Sequence, residues 1–247
     1  MTAGAPKGPG VSVKICGITR ETEAVWLNGA RVSYAGFVLY EKSKRCVTCE
    51  QAKRIFKKLN KNIIKVAVVV RPDDALLTEI ERSGFDRIQV HGEWLPGTVE
   101  RVKLPVWQAI NLSEPGEIYR LSDMLCREGS PLSDGSLRTE SRISAILVDA
   151  KEYGSGKTFG WEQFAAGEGR RLFFKLRERL RQHGIGFVLA GGLTAENVGR
   201  GIALFEPDVV DVSSGVERAD GHFGKDAEKI RRFTEEVQNA IYNKNKI

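Results

Sequence analysis

The chain has 247 residues, of which 41% are hydrophobic and 28% charged, with a net charge of +6. That balance is the one of a globular protein, and no apolar run approaches the roughly 20 residues that a membrane-spanning helix needs. The positive charge is spread among apolar residues, as at Lys57-Lys58 and from Arg177 to Arg181; this favours solvated helix faces over a nucleic-acid stripe and still helps to draw in an anionic metabolite.

In chain order, residues 1–10 are small and polar and read as a flexible N-terminal tail, not as a secretory signal. Short apolar, β-branched runs then follow at 11–15, 34–38, 63–70, 87–90, 105–110, 145–149, 186–190 and 209–212. Such continuous runs suit strands buried on both faces, as in a parallel sheet. Helical patterns fill the intervals at 21–28, 48–59, 72–83, 93–102, 118–125, 161–180, 194–204 and 225–240. Eight strand–helix units are the count of a closed barrel, so the expected fold is α/β: a single (β/α)8 TIM barrel with a closed parallel sheet over residues 11–247. A doubly wound open sheet is the alternative, but it rarely carries eight regular units. Thr48 and Thr194 are candidate N-caps, and Pro72 suits a first helical turn. Two stretches look extended: 127–142, rich in Ser, Gly and charge, and 167–186, a basic segment punctuated by glycines. Both precede strands, which in a barrel puts them on the face away from the chemistry.

Four cysteines, Cys16, Cys46, Cys49 and Cys126, are too few for a disulfide framework and suit a reduced cytoplasm. Cys46 and Cys49 form a C-x-x-C, but without a second pair and with only three histidines a four-ligand zinc site is hard to assemble. No metal site is expected.

Catalytic groups of a barrel lie at the carboxyl ends of its strands. Cys16 follows the first run and Asp149 ends the sixth. A thiolate is a competent base at neutral pH only if its pKa falls from about 8.5, and Lys14, on the same side of the strand, is a source of the required charge. Alone, Cys16 reads as a small buried filler and Asp149 as a loop cap. Together, at matching strand ends, they point to acid/base chemistry. The turns Gly191-Gly192-Leu193 and Asp211-Val212-Ser213-Ser214-Gly215 follow the seventh and eighth runs. The loops after those strands frequently bind phosphate, because glycines let backbone N–H groups approach the anion; plain tight-turn chemistry is the competing explanation. The loop from Gly36 to Arg45 is cationic, and Arg45 suits a bidentate contact with a carboxylate. His91, in Gln89-Val90-His91-Gly92, falls at the rim as a polar lining residue.

Five segments resemble the signatures of the phosphoribosylanthranilate isomerase family: Lys14 to Thr19, Gly36 to Arg45, Gln89 to Gly92, Val148 to Trp161, and Gly191-Gly192-Leu193 with Asp211 to Glu217. They run in family order. The resemblance implies a cofactor-free barrel that performs an Amadori rearrangement of N-(5-phosphoribosyl)anthranilate in tryptophan biosynthesis, with a small phosphoribosylated substrate and no nucleic-acid or membrane partner. It implies Cys16 as general base, Asp149 as general acid, Arg45 as the carboxylate anchor, and Gly192, Ser213, Ser214 and Gly215 as phosphate-binding. His91, Gly191 and Asp211 complete the candidate substrate-binding set. Monomer and homodimer both stay open. Glu41 stands where the family usually has proline, and the turn from Glu217 to Gly224 is longer than usual. The rivals are the histidine-pathway or dual-specificity isomerases, which carry aspartate where Cys16 stands, and a non-catalytic barrel that binds a phosphometabolite.

Overall fold

A computed structural model describes residues 10–93, 101–111, 143–149, 161–219 and 223–244. Eight strands, β1 (Ser12–Cys16), β2 (Tyr34–Val38), β3 (Ile64–Val70), β4 (Arg87–His91), β5 (Val106–Asn111), β6 (Ile143–Asp149), β7 (Gly186–Leu189) and β8 (Val209–Val212), close into a barrel in chain order. Every pairing is parallel, including the closure of β8 on β1. The described helices are α1 (Glu21–Gly29), α2 (Cys49–Phe56), α3 (Asp74–Arg82), α4 (Glu162–Ala165), α5 (Gly167–Gln182), α6 (Val198–Phe205) and α7 (Ala227–Lys244).

The strands are apolar on both faces because both faces are covered. Inward residues, among them Tyr34, Val66, Val68, Trp107, Leu147, Val188 and Val209, fill the barrel. The Tyr34 and Trp107 rings meet there, 4.9 Å apart. Outward residues such as Ile15, Phe37, Val69 and Phe187 pack beneath the helices. Polar side chains are buried inside as well: Lys14, Gln89, His91 and Asp211 all sit on inward positions of β1, β4 and β8. An apolar plug therefore supports a polar layer.

The strand expectations hold to within a residue or two at each end. The first strand runs one residue further than expected, so Cys16 is its last residue and lies in register with Gly36. Thr48 caps α2: its side chain accepts from Gln51 N, and Gln51 Oε1 in turn accepts from Thr48 N. Thr194 does not cap α6, which begins four residues later, at Val198, with Asn197 before it. Pro72 precedes the cap of α3, where the Asp73 side chain accepts from Leu76 N at 2.8 Å. The pattern over 161–180 is broken at Ala166 into α4 and α5. The two helices approach so closely that a Cβ on Gly169 would lie 1.9 Å from Gln163 O. The segment 167–186 is thus mainly the helix α5, not an extended loop. Nor is Arg177 on a solvated face. It is buried, with Nη2 donating to Glu206 O at 2.8 Å and the guanidinium 4.8 Å from the Phe187 ring centre. The tail to residue 9, most of 93–102, the helix expected at 118–125 and the loop 127–142 lie outside the described residues.

Candidate active site

The alternation of β1 turns both Lys14 and Cys16 into the barrel, and the closing register places Asp211 of β8 beside Lys14. Lys14 is wholly buried, with Nζ 2.7 Å from Asp211 Oδ2. Burial alone would neutralise the ammonium, but the Asp211 carboxylate, helped by Cys16, outweighs it and raises the Lys14 pKa. The second oxygen, Asp211 Oδ1, is buried without a hydrogen-bond partner among the described residues. Burial also pushes the Cys16 thiol up; Lys14 and Lys225 oppose this and Asp211 adds to it. Lys14 thus pulls in the direction expected of it, but burial wins, and without substrate the group is a thiol. Gly36 makes room for both side chains. A Cβ there would lie 3.0 Å from Cys16 Sγ and 3.0 Å from Lys14 Nζ.

Arg45 comes from the loop after β2 and is nearly buried. Its stem lies across Gly17, directly after Cys16, where φ is +82° and a Cβ would fall 2.5 Å from Arg45 Cδ. Its Nε donates to Glu217 Oε1 at 2.5 Å. Glu217 also faces Lys44, 3.3 Å from Oε2, and Lys225, 3.4 Å from Oε1. Burial favours the neutral acid, yet the Arg45 hydrogen bond and the charges of Lys225, Arg45 and Lys44 hold the Glu217 pKa down to about 2. Lys225 Nζ donates to Ser213 O at 3.0 Å, and Ser213 Oγ donates to Cys16 O at 3.1 Å. Glu23 of α1 accepts from Thr19 N, Arg20 N and Lys225 N at 2.7, 3.1 and 2.8 Å. The loops after β1, β2 and β8 are thereby tied together.

The glycine turn after β7 has left-handed backbone at Gly191 and Gly192, with φ of +83° and +61°. Asn197 fastens it by donating to Gly192 O and accepting from Thr194 N, both at 2.9 Å. The turn after β8 continues into a 3-10 turn, Ser214–Val216. The two turns touch: a Cβ on Gly215 would lie 2.0 Å from Leu193 O.

His91 ends β4, buried, with its Nε2 2.8 Å from Gln89 Nε2. Burial, with Lys14 adding to it, lowers its pKa to about 3, so it is a neutral imidazole. Asp149 ends β6, partly buried and in register with Asn111. All the candidate residues thus stand at the carboxyl mouth. Cys16, Arg45, Asp211 and Ser213 belong to one contact network. Gly191, Gly192, Ser214 and Gly215 adjoin it, and His91 and Asp149 stand on strands further round. The residues from 150 to 160 lie outside the described set. Glu23, Glu217 and Lys225 were not singled out from the sequence. The only signal was the position of Glu217 at the end of the Asp211–Glu217 run.

Fold and mouth together define a (β/α)8 barrel whose carboxyl end gathers a cysteine, carboxylates, cationic side chains and two glycine-containing turns. The profile of the N-(5'phosphoribosyl)anthranilate (PRA) isomerase family matches residues 13–236, and the chain belongs to that family. It is 34% identical over 235 residues to N-(5'-phosphoribosyl)anthranilate isomerase of Zymomonas mobilis subsp. pomaceae, covering 92% of this chain and 98% of that one. Monomers of the dimeric phosphoribosylanthranilate isomerase of Thermotoga maritima superpose with a TM-score of 0.70 at 30% identity, over 93% of this chain and 99% of theirs. A phosphoribosylanthranilate isomerase crystallised with reduced 1-(o-carboxyphenylamino)-1-deoxyribulose 5-phosphate matches with a TM-score of 0.70 at 28% identity and the same coverage.

Proposed function

We propose that the chain converts N-(5-phosphoribosyl)anthranilate into 1-(2-carboxyphenylamino)-1-deoxyribulose 5-phosphate, the isomerisation step of tryptophan biosynthesis, within one domain over residues 11–247. The observation that carries this is the lie of Arg45 across Gly17, which sets a carboxylate-binding group next to Cys16 in a chain of this family.

The reaction redistributes electrons within the substrate and needs no cofactor. Asp149 gives a proton to the furanose ring oxygen; the C1–O bond breaks and the anilino nitrogen supplies the electron pair, leaving an iminium ion. Cys16 then takes the proton from C2, and those electrons neutralise the iminium as an enolamine. Protonation at C1 and loss of the C2 hydroxyl proton give the ketone, so no atom is gained or lost. The raised pKa of the Cys16 thiol is compatible with this role. The iminium is a new positive charge beside it, and together with Lys14 it favours the thiolate when the base is needed. A free aspartate is ionised at neutral pH, so the acid role of Asp149 calls for its partial burial or the charge of the substrate phosphate to favour the protonated form.

Arg45 anchors the anthranilate carboxylate, and Gly191, Gly192, Ser213, Ser214 and Gly215 receive the phosphate. Asp211 Oδ1, an acceptor with no partner among the described residues, suits a sugar hydroxyl. His91 lines the mouth as a neutral donor or acceptor. Gripping the substrate at both ends fixes the sugar between acid and base. The free thiols of Cys16, Cys46 and Cys49 suit a cytoplasmic setting. Among the described residues, no helix is long and apolar enough to cross a membrane. Whether the chain is a monomer or a homodimer is read by sedimentation.

The test is an assay in which N-(5-phosphoribosyl)anthranilate is generated in place from anthranilate and phosphoribosyl pyrophosphate. The purified chain is expected to consume it with loss of the substrate's fluorescence and to leave the two-phosphate substrate of the histidine-pathway isomerase untouched. A folded chain that turns over only the latter, or neither, overturns the proposal.

A further inference from the structure

We propose that Glu217 is a positioning residue for substrate recognition: its carboxylate holds the Nε edge of Arg45, so that the two Nη groups present a fixed fork to the substrate carboxylate. This rests on the assignment of Arg45 as the carboxylate anchor. An arginine on a loop has several rotatable bonds, and a fork is selective only when it is held still. Two contacts hold this one. Gly17, lacking a Cβ, receives the stem, and Glu217 Oε1 takes the Nε hydrogen at 2.5 Å. That bond uses the side of the guanidinium and leaves its end. Neither Nη has a hydrogen-bond partner among the described residues.

Glu217 is itself fixed. Its backbone N donates to Ser214 O at 3.0 Å, and it forms an antiparallel bridge with Lys225. One carboxylate faces three cations, Arg45, Lys44 and Lys225, at the spot where an anion would arrive. Without Glu217, Lys44 and Lys225 would repel the guanidinium and Arg45 would lose its side support. The arrangement also joins the two ends of the substrate. Lys225 touches both Glu217 and Ser213, a residue of the turn that receives the phosphate, so carboxylate grip and phosphate grip share one ionic link.

The experiment measures binding of two probes to the full chain: reduced 1-(o-carboxyphenylamino)-1-deoxyribulose 5-phosphate, and its phenylamino counterpart without the carboxyl group. Glu217→Ala is expected to weaken the first about tenfold, by loss of preorganisation, and to shift the second by less than about twofold. Glu217→Gln, which keeps a neutral acceptor, is expected to fall between wild type and Glu217→Ala. In an Arg45→Ala background, Glu217→Ala is expected to add almost nothing, as for two residues acting through one contact. In turnover, KM is expected to rise more than kcat falls. Equal weakening of both probes, no weakening of either, or tighter binding of the carboxylated probe overturns the proposal; the last is the result if Glu217 merely competes with substrate for Arg45. Loss of the folded state in both Glu217 variants overturns it too, since the residue is then a support of the fold. If Arg45→Ala leaves the carboxylated probe unaffected, the anchor assignment itself fails, which is a different result from the anchor holding while Glu217 proves indifferent.

Discussion

Cys16 is pulled in opposite directions. Burial favours the thiol, and the ammonium groups of Lys14 and Lys225 favour the thiolate. A serine there keeps the shape but has a far higher pKa, so Cys16→Ser is expected to lower turnover about 10²–10⁴-fold, the usual worth of a general base. Binding of the carboxylated probe should be largely kept, and wild-type turnover would remove Cys16 from the role. Asp149→Asn cannot deliver a proton, and a loss of about 10²-fold or more is expected. An open-chain substrate should suffer less than the closed furanose, and equal losses would take Asp149 out of ring opening. His91 allows a test that needs no substrate. Its pKa is about 3 in the folded protein, against 6.5 when unperturbed. Below pH 6.5 the unfolded chain gains a proton there that the folded chain refuses, so stability is lost progressively from 6.5 down to about 3. In His91→Gln the fall of the urea midpoint across that window should be shallower. Identical slopes would mean that His91 titrates normally.

At the scale of elements, the two late turns are built around one missing atom. The Cβ of Gly215→Ala would sit 2.0 Å from the Leu193 carbonyl oxygen, so the turns after β7 and β8 must part. Such overpacking costs roughly 1–3 kcal/mol. KM is expected to rise with it, because the two turns proposed to receive the phosphate no longer meet; an unchanged KM at lowered stability would separate phosphate binding from this contact. The same elements show what could be read from sequence. Continuous β-branched runs located all eight strands, and with them the strand-end residues Cys16, His91, Asp149 and Asp211, because burial on both faces leaves a local mark. Caps were less legible. Thr194 and Asn197 are both good cap residues, and only the folded turn shows that Asn197 reaches back to Gly192 and Thr194. The break at Ala166 brings Gly169 close against Gln163, a contact that no periodicity records. Least legible was the contact of Arg45 with Glu217, 172 residues apart. It joins two loops, and loops carry no repeating pattern from which a partner can be inferred.

At the scale of the whole molecule, the barrel separates a chemical face from a connecting one. Residues 127–142 lie outside the described set but lead into Ile143, the amino end of β6, on the side away from Cys16 and Asp149. Replacing them with a few Gly/Ser residues is expected to leave turnover nearly unchanged, whereas a large loss in a folded, monodisperse variant would contradict that placement. Closure of β8 on β1 has a consequence for how the protein is made. Lys14 meets Asp211 across 197 residues of chain. At the roughly 5–20 residues per second of synthesis, the nascent chain carries Lys14 for about 10–40 s before its counter-ion exists. Through that interval β1 is an open sheet edge, and edges of this kind recruit other strands. A messenger cut short before the codon for Val209 would therefore yield a polypeptide whose β1 edge is never covered, and such a fragment is expected to aggregate where the full chain stays dispersed.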